Sequence, residues 1–115
     1  MSPNQIVFSA VERFGYPVEL DLYDGPETIY FTFSEIGEEA LIFGDNEPQD
    51  TIYDMAVYLH CPINFNYFDL KDRVKWAVYD AGNCWPTVDI TVDEENRKRE
   101  IAFYFKVSIE ETRKE

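Results

Sequence analysis

One histidine and two cysteines are the residues of this chain best suited to nucleophilic or metal chemistry. Cys61 and Cys84 lie far apart in the sequence, and neither has a second cysteine or a histidine at the spacing of a structural zinc site. His60 precedes Cys61 directly, but neighbours on a strand point to opposite faces of a sheet. We therefore expect reduced, buried thiols. A disulfide, or a pairing of His60 with Cys84 across the sheet, is the alternative.

Asp45, Glu47 and Asp50 form the most concentrated acidic segment, and oxygen ligands of this kind suit calcium. The segment lacks the glycine and the terminal acidic residue of an EF-hand loop, so we interpret it as a solvated turn. The sequence contains no glycine-rich phosphate loop, paired catalytic carboxylate motif or nucleophile elbow. We expect a protein that is not an enzyme and that has no cofactor and no metal.

Charge is strongly segregated along the chain. The net charge is −13, and no lysine or arginine occurs between Arg13 and Lys71, a stretch that holds twelve acidic residues. A surface of one sign determines which molecules approach it, and this one repels a phosphate backbone. The later basic residues are Lys71, Arg73 and Lys75, then Arg97, Lys98, Arg99 and Lys106, then Arg113 and Lys114.

Length and composition predict one ordinary folded domain, residues 1–115. A hydrophobic fraction of 45% and an aromatic fraction of 17% are too high for a disordered acidic tail. The apolar runs are far shorter than the roughly 20 residues of a membrane-spanning helix, and no signal segment is recognisable. We therefore expect a soluble protein that is not exported and does not enter a membrane.

Periodicity predicts two helices and four or five strands. Ser2 and Pro3 introduce the first helix, which Gly15 and Pro17 end, and Asn66 or Asp69 introduces the second, which Gly82 ends. Alternating apolar and polar residues predict strands over 28–36, 51–60, 87–92 and 100–110, with a short one at 41–43. The helical stripes are Ile6, Val7, Ala10, Val11 and Phe14, then Leu70, Val74, Ala77, Val78 and Ala81.

This order of elements predicts an α+β fold. We expect a two-layer sandwich in which two helices pack on one face of a mainly antiparallel, four- to five-stranded sheet. The other face of the sheet carries Tyr30, Tyr58 and Tyr104 and is a candidate interface. Trp76 and Tyr79 lie opposite the buried stripe of the second helix, so they are either an exposed contact surface or covered by the first helix or the loop of Trp85.

The elements from about residue 28 to residue 109 resemble the tail terminator, or tail-completion, proteins that join head and tail in bacteriophages. No single segment is specific, and the resemblance depends on the order and spacing of several. These segments are Ile42-Phe43-Gly44-Asp45-Asn46-Glu47, the strand 53–60 with Pro62, Asn64-Phe65-Asn66-Tyr67, Asp80-Ala81-Gly82, Asp93-Glu94-Glu95 and Ala102-Phe103-Tyr104-Phe105-Lys106.

The resemblance implies a structural role with no catalytic residues. Family members form a ring, usually hexameric, that caps the tail tube, stops its polymerisation and meets the head connector. It implies that the partners are further copies of the chain, a tail-tube protein and a head connector or stopper protein, while genome DNA passes through without specific binding. It also implies a location in the tail or neck of the virion, after assembly in the host cytoplasm.

A head-to-tail ring requires two different complementary surfaces on each subunit. The candidate interface residues are Trp76, Tyr79, Lys71, Arg73, Lys75, Arg97, Lys98 and Arg99. The candidate lumen-facing residues are Glu38, Glu39, Asp45, Glu47 and Asp50, because carboxylates repel phosphate over a Debye length of about 8 Å. General solubility is an alternative explanation of the acidity.

An inhibitory binding protein is the alternative functional class. Spaced carboxylates can replace DNA phosphates in contacts with lysine and arginine, so a small acidic protein can occupy the basic groove of a nucleic-acid-binding protein. An enzyme ranks third, because it requires a pocket in which His60 or a buried acid has a perturbed pKa.

Overall fold

The computed structural model describes residues 2–43 and 47–111. Two helices, one short 3₁₀ turn at Glu12–Phe14 and five strands follow one another in the predicted order. Their bounds are α1 Pro3–Val11, β1 Val18–Leu20, β2 Tyr30–Phe43, β3 Glu47–Pro62, α2 Phe68–Gly82, β4 Thr87–Asp93 and β5 Lys98–Glu110.

Helix α1 begins with the predicted cap. The Ser2 hydroxyl accepts a hydrogen bond from the Gln5 amide, and the Gln5 side chain accepts one from the Ser2 amide, so the two residues form a capping box. Pro3 follows the cap, where a missing amide hydrogen has no cost. Gly15 adopts a φ of 83° and turns the chain after the 3₁₀ segment, a conformation that glycine reaches without steric strain.

The five strands form one sheet in the order β1-β2-β3-β5-β4. Antiparallel pairing joins β2 to β3, β3 to β5 and β5 to β4, whereas β1 pairs with β2 in parallel. The α+β prediction is confirmed, with the refinement that the sheet is mixed. The sequence pattern did not predict β1 and placed Leu20 in a loop, because a strand of three residues is too short to show a period.

The core lies between the two helices and one face of the sheet. Its sheet side comes from alternate residues of β2, β3 and β5, and its helix side from the apolar stripes of α1 and α2. A helix layer over one face of a sheet is therefore confirmed. The largest fully buried side chains include Phe31, Phe103, Met55, Leu59, Ile101, Val7, Val11, Val57, Val74 and Val78.

Helix α2 differs from the prediction at its start. Its N-cap is Tyr67, which makes no side-chain capping bond, so the choice of Asp69 or Asn66 as the cap was wrong. The Asn66 carboxamide only accepts a long bond of 3.4 Å from the Phe68 amide. The helix ends at Gly82, as predicted, where a side-chain carbon would meet the Lys106 carbonyl at 3.0 Å and only glycine fits closely.

Strands β2 and β3 continue well beyond the helices. The sequence pattern predicted an end to the first of them near Gly37, but the strand passes a bulge there and runs on to Phe43. Its distal part, residues 37–43, pairs with residues 47–54 of β3, and residues 50–54 of β3 in turn pair with residues 106–110 of β5. We call this three-stranded extension the arm. It gives the molecule a longest dimension of 54 Å against 25 Å in the other two directions.

Replacing Phe103 by alanine tests the assignment of the core. The ring is fully buried between the sheet and the helices, so we expect F103A to lower the free energy of unfolding by about 3–5 kcal/mol. The matched control is F68A, which removes a largely exposed ring and is expected to cost less than about 1 kcal/mol. Urea denaturation measures both, and equal losses in the two variants would contradict the described packing.

Candidate assembly surfaces

Three aromatic side chains form an exposed patch on the outer side of α2. Trp76 is 58% exposed, Tyr79 37% and Trp85 48%. Trp85 reaches back from the segment between α2 and β4, so that its ring centre lies 5.0 Å from that of Trp76 and 5.9 Å from that of Tyr79. Trp85 therefore packs against the two helix residues without hiding them. We call these three residues the aromatic patch.

The basic residues of α2 are engaged with their own helix and its surroundings. Arg73 lies 3.7 Å from the Asp69 carboxylate, and Lys75 lies 3.2 Å from that of Asp72. The Lys71 ammonium lies 4.9 Å from the centre of the Phe68 ring. Lys75 also sits 5.6 Å from the centre of the Trp85 ring, at the border of the aromatic patch. Of these three cations, Lys75 is the one that borders the aromatic patch, and the Asp72 carboxylate partly neutralises it.

The basic segment at the β4–β5 turn is divided between two environments. Arg99 donates a hydrogen bond of 2.9 Å to the Ile63 carbonyl and covers the Tyr67 ring, so it is tied into the fold. Arg97 and Lys98 are exposed and belong to no salt bridge within residues 2–43 and 47–111. Acidic residues of the same turn lie beside them, so the turn is a mixed surface and not a purely basic one. These neighbours are Asp93, Glu94 and Glu95.

Three of the predicted lumen-facing acids, Glu38, Glu39 and Asp50, lie on the arm. Glu38 and Glu39 are exposed neighbours on β2 and point to opposite faces, while Asp50 is half-buried on β3. Asp45 and the side chain of Glu47 lie outside the described residues. Burial, followed by the carboxylates of Glu38, Glu111 and Glu35, raises the pKa of Tyr53 on the same extension. The arm is thus a region of concentrated negative charge at one end of the molecule.

A second apolar surface, which the sequence pattern did not predict, lies at the β1 edge of the sheet. Leu20 is 48% exposed, Leu22 is 76% exposed, and Phe8 of α1 is 39% exposed. Phe33 joins them from beneath, since it pairs with Leu20 in the sheet and its ring centre lies 6.3 Å from that of Phe8. We call Phe8, Leu20 and Leu22 the β1-edge patch. In the sequence, the one signal of this patch was Phe8, an aromatic residue that lies outside the apolar stripe of α1.

The open face of the sheet ends in a groove of about 440 Å³ that includes the chain's one histidine. His60 stacks on Tyr30 with ring centres 4.5 Å apart, and Tyr23 packs against Tyr30 at the same distance. His60 Nε2 is hydrogen-bonded to the Thr32 hydroxyl at 3.0 Å, and Nδ1 lies 3.8 Å from the Glu100 carboxylate. Burial lowers the pKa of His60, although Glu100 opposes the shift.

Thr32, His60 and Glu100 follow one another as a hydroxyl, an imidazole and a carboxylate, the order of groups in a serine-protease triad. The Thr32 hydroxyl, however, lies on a buried residue in the interior of β2, where a substrate does not reach it. The contact therefore fixes the orientation of the His60 ring. His60 and Cys61 point to opposite faces as predicted, because Cys61 is buried.

The two cysteines are both free thiols, which excludes the disulfide alternative. Cys61 is buried as expected, whereas Cys84 is half-buried and its sulfur accepts a bond of 3.4 Å from the Lys106 amide. Cys84 lies beside Lys106, and His60 lies beside Glu100. These two positions are about 20 Å apart along β5, so His60 and Cys84 do not pair.

Within the described ranges, no group of acidic, histidine or cysteine side chains is placed to hold a metal ion. Neither described helix has the length and hydropathy needed to cross a membrane.

The pKa of His60 gives a test of the open face. We expect its imidazole to titrate below the ordinary value of 6.5, and E100Q to lower the pKa further, because Glu100 raises it. Since the folded pKa lies below the unfolded one, the neutral ring contributes stability above pH 6.5 that is lost as the pH falls toward the folded pKa. An NMR titration of the ring measures the pKa.

The stability part of this test compares the wild type with H60Q. Urea denaturation at neutral and mildly acidic pH should show a loss on acidification that is smaller in H60Q, because glutamine has no group to protonate. A wild-type pKa above 6.5, or equal losses in the two proteins, would contradict the described burial of His60.

Comparisons with known proteins support the fold. No family model matches the sequence, and no curated protein matches it. Among solved structures, the chain is similar to a chain of the virion of a native gene transfer agent particle, with a TM-score of 0.65, 16% identity and 96% of each chain covered. It is also similar to a second solved chain whose name states no role, with a TM-score of 0.57, 10% identity and full coverage of both chains. At these identities the likeness shows a shared fold.

Proposed function

We propose that this protein is a structural component of a phage-like particle, and that it acts as a tail terminator. In this role, copies of the chain form a ring, which we take to be a hexamer, on the tip of the tail tube. The ring stops polymerisation of the tube and connects the tail to the head. The role requires surfaces for assembly and no catalytic residues. The protein would reside in the neck of the virion, with tail-tube and head connector proteins as its neighbours.

The observation that carries this proposal is the likeness to a chain of the gene transfer agent virion over 96% of both chains. The order of elements in the sequence, which resembles tail terminators, supports the finer role. The exposed aromatic patch supports a protein that contacts other proteins, since exposed aromatic clusters mark such contacts.

The arm supplies the second part of the proposal. We propose that its carboxylates face the bore of the ring, where they repel the genome during passage. Phosphate groups are repelled within a Debye length, about 8 Å at physiological salt, so the acids must lie near the wall of the channel to act. Charge at one end of an elongated subunit suits this geometry, because the remaining surface stays available for contacts between copies.

Mixing the purified chain with the tail-tube protein of its own particle tests the role. We expect the chain to cap tube ends, which would appear as an added ring in electron micrographs and as tubes of reduced length. Reversing Glu38, Glu39 and Asp50 to lysine should leave capping intact and increase the binding of duplex DNA to the capped ends. The matched control reverses Asp89, Glu94 and Glu95, which are equally acidic but lie on β4 and its turn.

Two results would contradict the proposal. Tubes that grow to the same length with and without the chain would remove the terminator role. A reconstruction of the capped tube with the arm outside the bore would remove the lumen role alone. Tight binding to a basic nuclease, in the absence of any binding to tubes, would instead support the alternative of an inhibitory DNA mimic.

A further inference from the structure

We propose that the β1-edge patch of one copy binds the aromatic patch of the next copy, and that this contact is the repeating interface between subunits. The inference depends on the proposed function in one respect only, namely that the chain of contacts closes into a ring. The contact itself follows from the placement, exposure and charge of the two patches. Both patches consist of apolar or aromatic side chains that are exposed to water in a single copy.

The two patches lie on opposite flanks of the molecule. Helix α1 packs over β1 and β2, and it also packs against α2. Trp85 covers the other flank of α2, because it belongs to the segment that leads into β4. Since β1 and β4 are the two outermost strands, the whole width of the sheet separates the patches, roughly 20 Å at the usual strand spacing. A single contact within one copy is therefore impossible.

The size of the aromatic patch is appropriate for the centre of an interface. With about 200 Å² for a whole aromatic side chain, the exposed fractions of the aromatic patch correspond to roughly 300 Å² of accessible surface. The largest apolar patch of a typical monomer covers about 300–600 Å² and is often functional. Tryptophan and tyrosine are also the residues most often found at the energetic centres of protein interfaces.

Charge at the borders of the two patches is complementary. The β1 edge carries Glu19 and Asp21, which are exposed and belong to no salt bridge within the described part of the chain. The aromatic patch carries Lys75 at its border, with its ammonium 5.6 Å from the centre of the Trp85 ring and 3.2 Å from the Asp72 carboxylate, so its positive charge is partly neutralised within its own copy. Such border charges set register and association rate more than affinity. The net charge of −13 acts in the other direction, because whole copies repel each other.

A contact between two different patches on opposite flanks is heterologous, so each added copy exposes a fresh patch for the next. Such an interface closes into a ring when the rotation between copies divides a full turn. An isologous contact, in which each patch meets its own counterpart, would stop at a dimer. The heterologous and the isologous contact predict different oligomers when two variants, each with one altered patch, are mixed.

The test uses two variants, L22D and W76D, each of which places a charge in one patch. Under the proposal, neither variant assembles alone, whereas an equimolar mixture forms a dimer and nothing larger. The dimer arises because L22D keeps an intact aromatic patch and W76D keeps an intact β1-edge patch. Sedimentation velocity at high protein concentration measures the species present. High salt should strengthen assembly of the wild type, since the Debye length falls to about 3 Å at 1 M.

The control variant is F68D, which charges a ring that is 63% exposed but belongs to neither patch. It should assemble like the wild type. Circular dichroism and thermal melting establish that all three variants remain folded, so a loss of assembly is not a loss of structure.

Three outcomes would overturn the inference. They are dimers formed by L22D or W76D alone, a mixture of the two that stays monomeric, and a wild type that stays monomeric in high salt at the highest concentration reached. The tube-capping experiment decides the proposed function separately. If the chain pairs through these patches but does not cap tubes, the proposed interface stands and the terminator role is wrong. If a variant with both substitutions caps tubes as well as the wild type, the terminator role stands and the proposed interface is wrong.

Discussion

The difference in length between the helices and the strands is the constraint on which the rest of this structure depends. A helix of 15 residues, such as α2, extends for about 22 Å, whereas the 16 residues of β3 extend for about 53 Å. Two short helices therefore cover only part of one face of the sheet. The covered part forms an ordinary core, and the distal parts of β2, β3 and β5 form the arm, which keeps its backbone hydrogen bonds because these three strands pair with one another.

This constraint determines which surfaces the molecule presents. Helix α1 packs over β1 and β2, and α2 packs over β5. The outer sides of the two helices, with the chain segments next to them, carry the β1-edge patch and the aromatic patch. The uncovered end of the sheet carries the concentrated acids. The subunit thus has an apolar patch on each flank and one strongly acidic end. Copies of such a subunit can assemble side by side with their acidic ends toward a common axis. The fold is in this way compatible with the proposed neck ring.

The parts of the fold that depend on regular periodicity were predictable from the sequence. The alternation over 51–60 and 100–110 and the stripe of Leu70, Val74 and Val78 all correspond to observed elements. Strand β1 was not predictable, because its three residues are held by parallel pairing with β2 and not by a pattern of their own. The length of the arm was also missed, since the bulge at Gly37 interrupts the alternation and imitates a strand end.

The candidate surfaces were predictable only in part. Helical spacing placed Trp76 and Tyr79 away from the buried stripe, and both are exposed. Spacing within one helix does not reveal that Trp85 joins them, because that contact depends on the path of the chain after α2. The basic character expected of residues 97–99 was reduced by a tertiary contact, as Arg99 turns inward to the Ile63 carbonyl. The β1-edge patch brings together residues of α1 and β1 that no local pattern connects.

The fluorescence of the two tryptophans tests the central claim most directly, because the chain has only Trp76 and Trp85 and both belong to the aromatic patch. Acrylamide quenching should be strong in the monomer, where both rings are exposed to water. On assembly, we predict a marked loss of quenching together with a shift of the emission to shorter wavelength. Assembled protein whose tryptophans remain as accessible as those of the monomer would contradict the account.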